Sequence, residues 1–273
     1  MKIRSLIASS LFIAITFSTI YAQDRHFAWS YDSPSLPKGS VDFEVWNTYN
    51  FGRKGYSYSN LDQKLELEYG LSDKIQTSIY INANHTAVGP QDTTQALEFV
   101  RSSSFSFSNS WKFYISNPFK HKFGFSGYFE YYLAQGEVEL EAKFILDKIT
   151  EKNWYVLNST LESGIEKVFT KSNGAIKSEI ENDYEWENNL GFMHHFKPTL
   201  GLGLEFRNVN AIQEGKWLYS ACYIGPSLFI GGEKYFLIFN FMPQFANLTG
   251  NNKPLELSNQ ERFNLRVLAG VSF

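Results

Sequence analysis

The fold is decided by the stretch FNLRVLAGVSF, residues 263–273, in which apolar and polar side chains alternate. Apolar residues take every odd position from Phe263 to Phe273, and Leu268 is the one large apolar residue at an even position. A period of two places odd-numbered and even-numbered side chains on opposite faces of a β-strand. The stretch therefore predicts a strand with one apolar and one polar face.

This strand runs to the carboxyl terminus of the sequence and finishes on an aromatic residue, Phe273. Such an ending resembles the terminal strand of bacterial outer-membrane barrels, which their assembly machinery reads. The resemblance implies that Phe273 is an assembly signal. It also implies that the partners of the chain are outer-membrane lipid and the barrel-assembly machinery.

The same alternation recurs from about residue 39 onward, beginning with Val41, Phe43 and Val45 on one face and Asp42 and Glu44 on the other. We count about twelve such strands, within a range of about 10–14, and bacterial single-chain barrels have an even number. The fold class predicted is all-β, a single antiparallel transmembrane β-barrel over residues 39–273.

The connections between the strands also alternate in length. Short links are expected at 71–73, 116–120, 148–152, 196–198 and 231–233, and longer ones at 86–96, 170–177, 208–215 and 246–257, with 52–55 and 134–136 as tight exceptions. Outer-membrane barrels have short periplasmic turns and longer outer loops. The pattern therefore predicts that both termini lie on the periplasmic side.

Alternation alone is equally compatible with a secreted soluble sandwich or a lipocalin-like barrel, whose apolar face points inward. Three features favour the membrane barrel: the Phe273 ending, strands long enough to cross lipid (about 9–11 residues when tilted), and charged faces opposite faces of Phe, Tyr, Trp and Leu. A soluble barrel remains the alternative.

The amino-terminal residues predict export. Lys2 and Arg4 precede a largely apolar stretch over 6–20, and Ala22 offers a small residue at a cleavage site, which is typical of a signal peptide. We expect residues 1–22 to be removed near Ala22 and 23–38 to form a periplasmic amino-terminal segment. The predicted location is the outer membrane of a Gram-negative bacterium.

Composition excludes several other classes. Cys222 is the single cysteine, so a disulfide-stapled secreted domain is excluded. A formal net charge of −3 is too weak to indicate nucleic acid as a partner. The aromatic content of 17% suits a barrel with aromatic girdles at both membrane interfaces.

Several segments are similar to one established group. Residues 68–74, 114–130, 190–205 and 225–227 resemble strand and hairpin segments of the outer-membrane barrel family of phenol-degradation (MetA-pathway) transporters. The resemblance covers most of the chain after residue 22, and it rests on hairpin motifs. It implies an outer-membrane barrel and a channel for small molecules, and it transfers no binding residue.

Catalytic and metal sites were tested on residue types and spacing. A barrel phospholipase needs a His with a Ser two places along, but residue 87 after His85 is Ala, and His194 and His195 precede Phe196 and Lys197. We therefore interpret the histidines, including His26 and His121, as interfacial or loop residues. No cofactor and no metal site is predicted, and an enzyme acting on lipid ranks third among the functions.

The polar faces predict an acidic lumen. Carboxylates outnumber basic side chains there, and rings of Asp and Glu favour cations in a pore. Ion pairs are expected between the arginines of the last strand and the acids of the first. The leading function is a passive channel for small molecules or cations, and the alternative is a structural or adhesive surface barrel without a pore. The residues predicted to line the lumen are Asp42, Glu44, Glu66, Glu68, Glu130, Glu139, Glu141, Glu162, Glu181, Asp183, Glu185, Glu205, Arg207, Arg262 and Arg266.

Overall fold

The computed structural model describes residues 25–90, 99–172, 175–213, 215–250 and 252–273. The predicted signal peptide and its cleavage site lie outside these residues. No helix in this part of the chain is long and apolar enough to cross a membrane. The described chain forms twelve strands: β1 Val41–Phe51, β2 Ser57–Ser72, β3 Ile75–Gly89, β4 Val100–Ser116, β5 Gly124–Ala134, β6 Glu137–Ile149, β7 Asn153–Ser172, β8 Ala175–Lys197, β9 Leu200–Gln213, β10 Lys216–Gly231, β11 Tyr235–Asn247 and β12 Phe263–Ser272.

Each strand pairs antiparallel with its neighbours in sequence, and β1 pairs with β12 to close the barrel. At this seam Glu44 lies opposite Gly270 and Thr48 opposite Arg266, and the backbone N–H of Phe273 donates to the carbonyl of Val41 at 2.9 Å. Closure leaves no unpaired sheet edge, which a spanning sheet in lipid requires. The predicted single antiparallel barrel of twelve strands is confirmed.

The two faces of the wall are those of an outer-membrane barrel. Large apolar side chains cover the exterior, for example Ile81, Phe105 and Leu161, which are 58%, 70% and 61% exposed. Polar and charged side chains such as Glu66 and Asn240 are buried inside. A soluble barrel has the opposite arrangement, with its apolar face inward, so that alternative is wrong.

The outer end of the barrel differs from the loop prediction at two places. The expected loop over 170–177 is mostly strand, because β7 and β8 extend to 20 and 23 residues, and the expected loop over 208–215 lies mostly within β9. Crossing lipid needs only about 9–11 residues of strand. The β7–β8 hairpin therefore projects beyond the bilayer at the end opposite the termini.

Candidate functional site

The segment that precedes the barrel wall lies inside the barrel. Residues 25–37, which we call the plug, fold into the end of the lumen where both termini lie, the periplasmic end of an outer-membrane barrel. Phe27, Ala28, Ser30 and Leu36 in this segment are all fully buried, with 0% exposure. The predicted periplasmic segment over 23–38 thus includes residues 25–37, which the wall encloses.

One carboxylate of the wall holds the centre of the plug. Glu205 on β9 accepts hydrogen bonds from three consecutive backbone N–H groups, those of Ala28 at 2.9 Å, Trp29 at 2.8 Å and Ser30 at 3.0 Å. The hydroxyl of Ser227 on β10 also donates to Glu205, at 2.5 Å. Hydrogen bonds to an ionised acceptor are stronger than neutral ones. Glu205 is therefore the main polar anchor of the plug.

Two arginines of the wall stack on the same plug residue. The guanidinium carbon of Arg266 lies 3.4 Å from a ring centroid of Trp29, and that of Arg207 lies 4.2 Å from it. Arg266 also donates to the carbonyl of Ala28 at 2.9 Å and to the hydroxyl of Thr48 at 2.8 Å. Cations over an indole face are attracted by its quadrupole. Arg207 on β9 and Arg266 on β12, two of the residues predicted to line the lumen, thus bind the plug.

Residues 31–34 of the plug are held by strands β4, β6 and β7. Asn158 on β7 accepts from the N–H of Tyr31 at 2.5 Å and donates to its carbonyl at 3.0 Å. Asp147 on β6 accepts from the N–H and the hydroxyl of Ser33 at 2.6 and 3.0 Å. Lys112 donates to the carbonyl of Pro34. These bonds satisfy backbone groups that pair with no strand.

An apolar patch of the wall packs against the plug. Phe27, Ala28 and Trp29 share one buried cluster with side chains that interrupt the polar inner faces of β7 to β12. Fully burying one such side chain stabilises a contact by about 1.5–3 kcal/mol. The wall members of this patch include Val156, Met193, Val209, Phe229, Phe236, Ile238, Met242 and Leu268.

Arg25 lies beside a buried acidic cluster formed by Glu44, Glu66 and Glu68. Its guanidinium is 3.4 Å from Glu44 and 3.9 Å from Glu68, and it stacks on Trp46 with 4.1 Å to the ring centroid. Burial alone lowers the pKa of Arg25, but the neighbouring carboxylates, Glu44 first, raise it well above its ordinary value. Carboxylate oxygens of the three acids lie within 4.8 Å of one another, a spacing that could hold a cation.

The expected ion pairs between β12 and β1 are not what this cluster contains. The cation beside Glu44 is Arg25 of the plug, while Arg266 binds Thr48 and Ala28, and Arg262 is exposed before β12 begins. For Glu44 the seam prediction is therefore wrong, because its cation comes from the plug and not from the last strand. The guanidinium beside Glu44 belongs to Arg25 of the plug.

Above the plug, four glutamates form a row across adjacent strands. Strand register pairs Glu130 with Glu141, Glu141 with Glu162, and Glu162 with Glu185, so these side chains form one continuous row across the inner faces of β5 to β8. We call this row the carboxylate belt. Lys143 contacts it, with its Nζ 3.0 Å from Glu141, and lies 4.0 Å from the ring centroid of Tyr31 in the plug.

A polar chamber of about 180 Å³ lies on the opposite side of the lumen. Trp46 and Arg266 line it near the plug, and Asp62, Asn84 and Tyr132 line it further up. Asp62 accepts hydrogen bonds from Asn84 and, at 2.8 Å, from Asn50. Amides, hydroxyls and a carboxylate therefore surround this space.

The predicted lumen residues fall into three groups. Five are buried around the plug or close to its edge: Asp42, Glu44, Glu66, Glu68 and Glu205. Seven are half-buried on the inner wall: Glu130, Glu139, Glu141, Glu162, Glu185, Arg207 and Arg266. The remaining three are exposed. Glu181 and Asp183 lie where β8 projects beyond the membrane, and Arg262 precedes β12.

Two histidines depart from the interpretation as interfacial or loop residues. His26 is buried in the plug, where Asp32 accepts from its backbone N–H at 3.1 Å and lies 2.9 Å from its Nδ1. His195 is buried at the periplasmic end of β8, with its ring centroid 5.2 Å from that of His26. His194, its neighbour in sequence, lies on the outer face beside Asn153. Both inward rings therefore belong to the junction between plug and wall.

Sequence and structure comparisons agree with this architecture. The profile of a family described as "Family of unknown function (DUF6662)" matches residues 19–273. No curated protein matches the chain. The phenol-degradation family is not the one that matches, so that resemblance stays a prediction, while its coarser implication of an outer-membrane barrel holds.

Solved outer-membrane barrels share the fold. A COG4313 outer membrane channel from Pseudomonas putida F1 superposes with a TM-score of 0.61 at 11% identity, covering 89% of this chain and 98% of that one. The β domain of the Bordetella autotransporter BrkA gives 0.52 at 7% identity, covering 86% and 100%. The NanC porin gives 0.51 at 8% identity, covering 85% and 98%. At these identities the likeness concerns the fold.

Proposed function

The chain belongs to the DUF6662 family of unknown function. We propose that it is a passive outer-membrane channel for small polar solutes. The pathway is closed at the periplasmic end by the plug and opens when the plug leaves the wall. The channel prefers cations. It works in the outer membrane of a Gram-negative bacterium, after signal-peptide cleavage near Ala22, and has no enzymatic activity.

The observation that carries this proposal is the way in which the lumen is filled. A purely structural barrel can fill its interior with side chains of its own wall. Here the filling is a separate segment whose backbone N–H groups bind wall carboxylates, at Glu205 and Asp147. A segment held by side-chain contacts can dissociate without breaking the strand ladder. The wall left behind is polar and charged.

Cation preference is supported by the carboxylate belt. Its four glutamates are cross-strand neighbours on the inner wall, and Lys143 is the one basic group paired with them, through Glu141, so carboxyl groups outnumber the basic group four to one. A narrow passage with low-dielectric walls focuses the field of such fixed charges. The belt therefore raises the local concentration of cations and opposes anions. The amide-rich chamber on the opposite side of the lumen suits a small polar permeant.

The test is conductance in a planar bilayer. We compare the refolded mature barrel with a variant that lacks residues 25–36 and keeps Pro37 as the connection to β1. The intact barrel should give rare, small openings, and the deletion should give a steady conductance whose reversal potential in a KCl gradient indicates cation preference. If the deletion variant is folded and carries no current, the channel function is wrong and the structural barrel takes its place.

A reversible lock supplies the control for the deletion. Ser33 and Asp147 are in side-chain contact at 3.0 Å, so cysteines at both positions can tether the plug to β6. The buried native thiol is removed first by Cys222→Ala. The oxidised tether should abolish the residual openings and a reducing agent should restore them. Openings that persist at the same frequency under the tether would show that the plug does not control the pathway.

A further inference from the structure

A separate cavity of about 400 Å³ lies at the periplasmic rim, between the plug and the barrel wall. His26 of the plug, Trp154 near the start of β7 and His195 near the end of β8 line it. The backbone N–H of His195 donates to the carbonyl of Lys152 at 2.7 Å, which draws the β6–β7 turn against β8. The cavity is therefore built by the fold and has the size of a small-molecule site.

Aromatic rings form most of its walls. The rings of His26 and Trp154 are in contact, with 3.6 Å between centroids and 38° between their planes, and the ring of His195 lies 5.7 Å from that of Trp154. Phe119 in the β4–β5 turn lies 6.3 Å from Trp154 with its edge towards the indole, and Phe196 completes the lining. Flat walls of this kind select flat ligands, which stack on them at little entropic cost.

The charge of the rim is opposite to that of the belt. Lys152 and Lys197 line the cavity together with Glu151, so the charged side chains of the lining carry a net positive charge. Both lysines are exposed, Lys152 in the β6–β7 turn and Lys197 at the last position of β8, where their ammonium groups can reach a ligand. The lysines of this cavity therefore attract anions, which the carboxylates of the lumen repel.

The wall of the cavity also contains a polar atom in need of a partner. Nε2 of His195 is buried and makes no hydrogen bond to any described residue. Burying such a group unsatisfied costs about 1–3 kcal/mol. Asp32 fixes the ring of His26 instead, at 2.9 Å from its Nδ1. The imidazole of His195 is therefore the group that a ligand can satisfy.

We propose that this rim cavity binds a planar, ring-containing organic anion, which stacks against Trp154 and is held by His195, Lys152 and Lys197. The site faces the periplasm and lies outside the path of the carboxylate belt. It does not depend on the proposed channel function, because binding can be measured without any current.

The experiment uses three isosteric probes that differ in charge. The mature barrel is refolded in an uncharged detergent and titrated with 4-fluorobenzoate, 4-fluorobenzamide and 4-fluorobenzamidine, with ¹⁹F NMR line broadening as the readout. The benzoate should bind about fivefold more tightly than the neutral amide, as expected for two exposed charge contacts. The cationic benzamidine should bind most weakly.

Neighbouring histidines provide the matched variants. His195→Leu should weaken benzoate binding about tenfold, as expected for one charge-assisted hydrogen bond. His194→Leu, on the outer face of the same strand, should leave it unchanged. Lys152→Gln with Lys197→Gln changes only exposed side chains, so the barrel should still fold, and it should remove the preference for benzoate over benzamide.

Each of the following results would overturn the proposal. The first is absence of binding by the wild type at millimolar benzoate. The second is equal binding of the three probes. The third is an equal loss of binding in the His194 and His195 variants, with both still heat-modifiable. Retained charge preference in the double lysine variant would also count against it.

Discussion

Replacing Glu205 by Gln should release the plug while leaving the barrel closed. The carboxylate accepts the N–H of Ala28 on one oxygen and those of Trp29 and Ser30 on the other. A Gln side chain has one acceptor oxygen, so at least one of these N–H groups then faces an NH₂ donor, and the remaining bonds lose the charge of the acceptor. Charge-assisted hydrogen bonds contribute about 1.5–3 kcal/mol each, against about 0.5–1.5 for neutral ones.

From these values we expect the free energy of plug docking to fall by about 3 kcal/mol. Since about 1.4 kcal/mol corresponds to a factor of ten, the population of undocked plug should rise by roughly 150-fold. The ladder hydrogen bonds of β9 involve backbone atoms only, so the wall should stay intact.

Amide hydrogen exchange measures this release directly. Protection of the N–H groups of residues 28–30 should drop by roughly two orders of magnitude, while amides of the strands keep theirs. Glu185→Gln is the matched control, because Glu185 accepts from Tyr219 of the wall, at 3.2 Å. If Glu205→Gln leaves the exchange of residues 28–30 at the wild-type rate, Glu205 does not hold the plug and the reasoning fails.

Three further predictions follow from other parts of the molecule. Gly70→Ala should expel the plug, because the new Cβ would lie 2.1 Å from the carbonyl oxygen of Pro37, whereas at Gly127 a Cβ meets nothing within 4 Å. Faster exchange of residues 25–37 in the first variant only would confirm it, and equal exchange in both would contradict it. In the plug-deleted barrel, changing the four belt glutamates to Gln should move the reversal potential towards zero. Changing the exposed Glu181 and Asp183 to Gln and Asn should shift the reversal potential much less at physiological salt, where charges beyond about 8 Å are screened. Equal shifts in the two variants would refute a role for the belt. Phe273→Asp, or deletion of Phe273, should sharply reduce heat-modifiable barrel in the outer membrane, and wild-type levels would argue against an assembly signal.

The wall of the barrel could be predicted from the sequence because alternation is a local property. Each strand shows its two faces within about ten residues, so about twelve strands could be predicted from the pattern, and the Phe273 ending and the charged faces favoured a closed membrane barrel. The carboxylates of the inner face were found in the same way. Their arrangement as one row was not predicted, because the row from Glu130 to Glu185 depends on the register between strands.

The plug could not be predicted by the same method, because residues 25–37 have no period and bind the wall through isolated side chains. A signal was nevertheless present on the wall. Apolar residues interrupt the polar inner face at Met193, Phe229, Ile238 and Met242, and Leu268 is the exception noted in the terminal strand. A water-filled lumen gives no reason for such residues. Together with the aromatic run from Phe27 to Tyr31, they indicate a segment packed inside.

The hydrogen bond from Arg266 to the carbonyl of Ala28 also concerns the order of events during biogenesis. It joins residues 238 positions apart, so one partner belongs to the first part of the mature chain to leave the cell interior and the other to the last. Contacts of such separation form late. The plug therefore completes its contacts only after β12 has joined the wall, and the resistance of residues 25–37 to a periplasmic protease would report completed assembly.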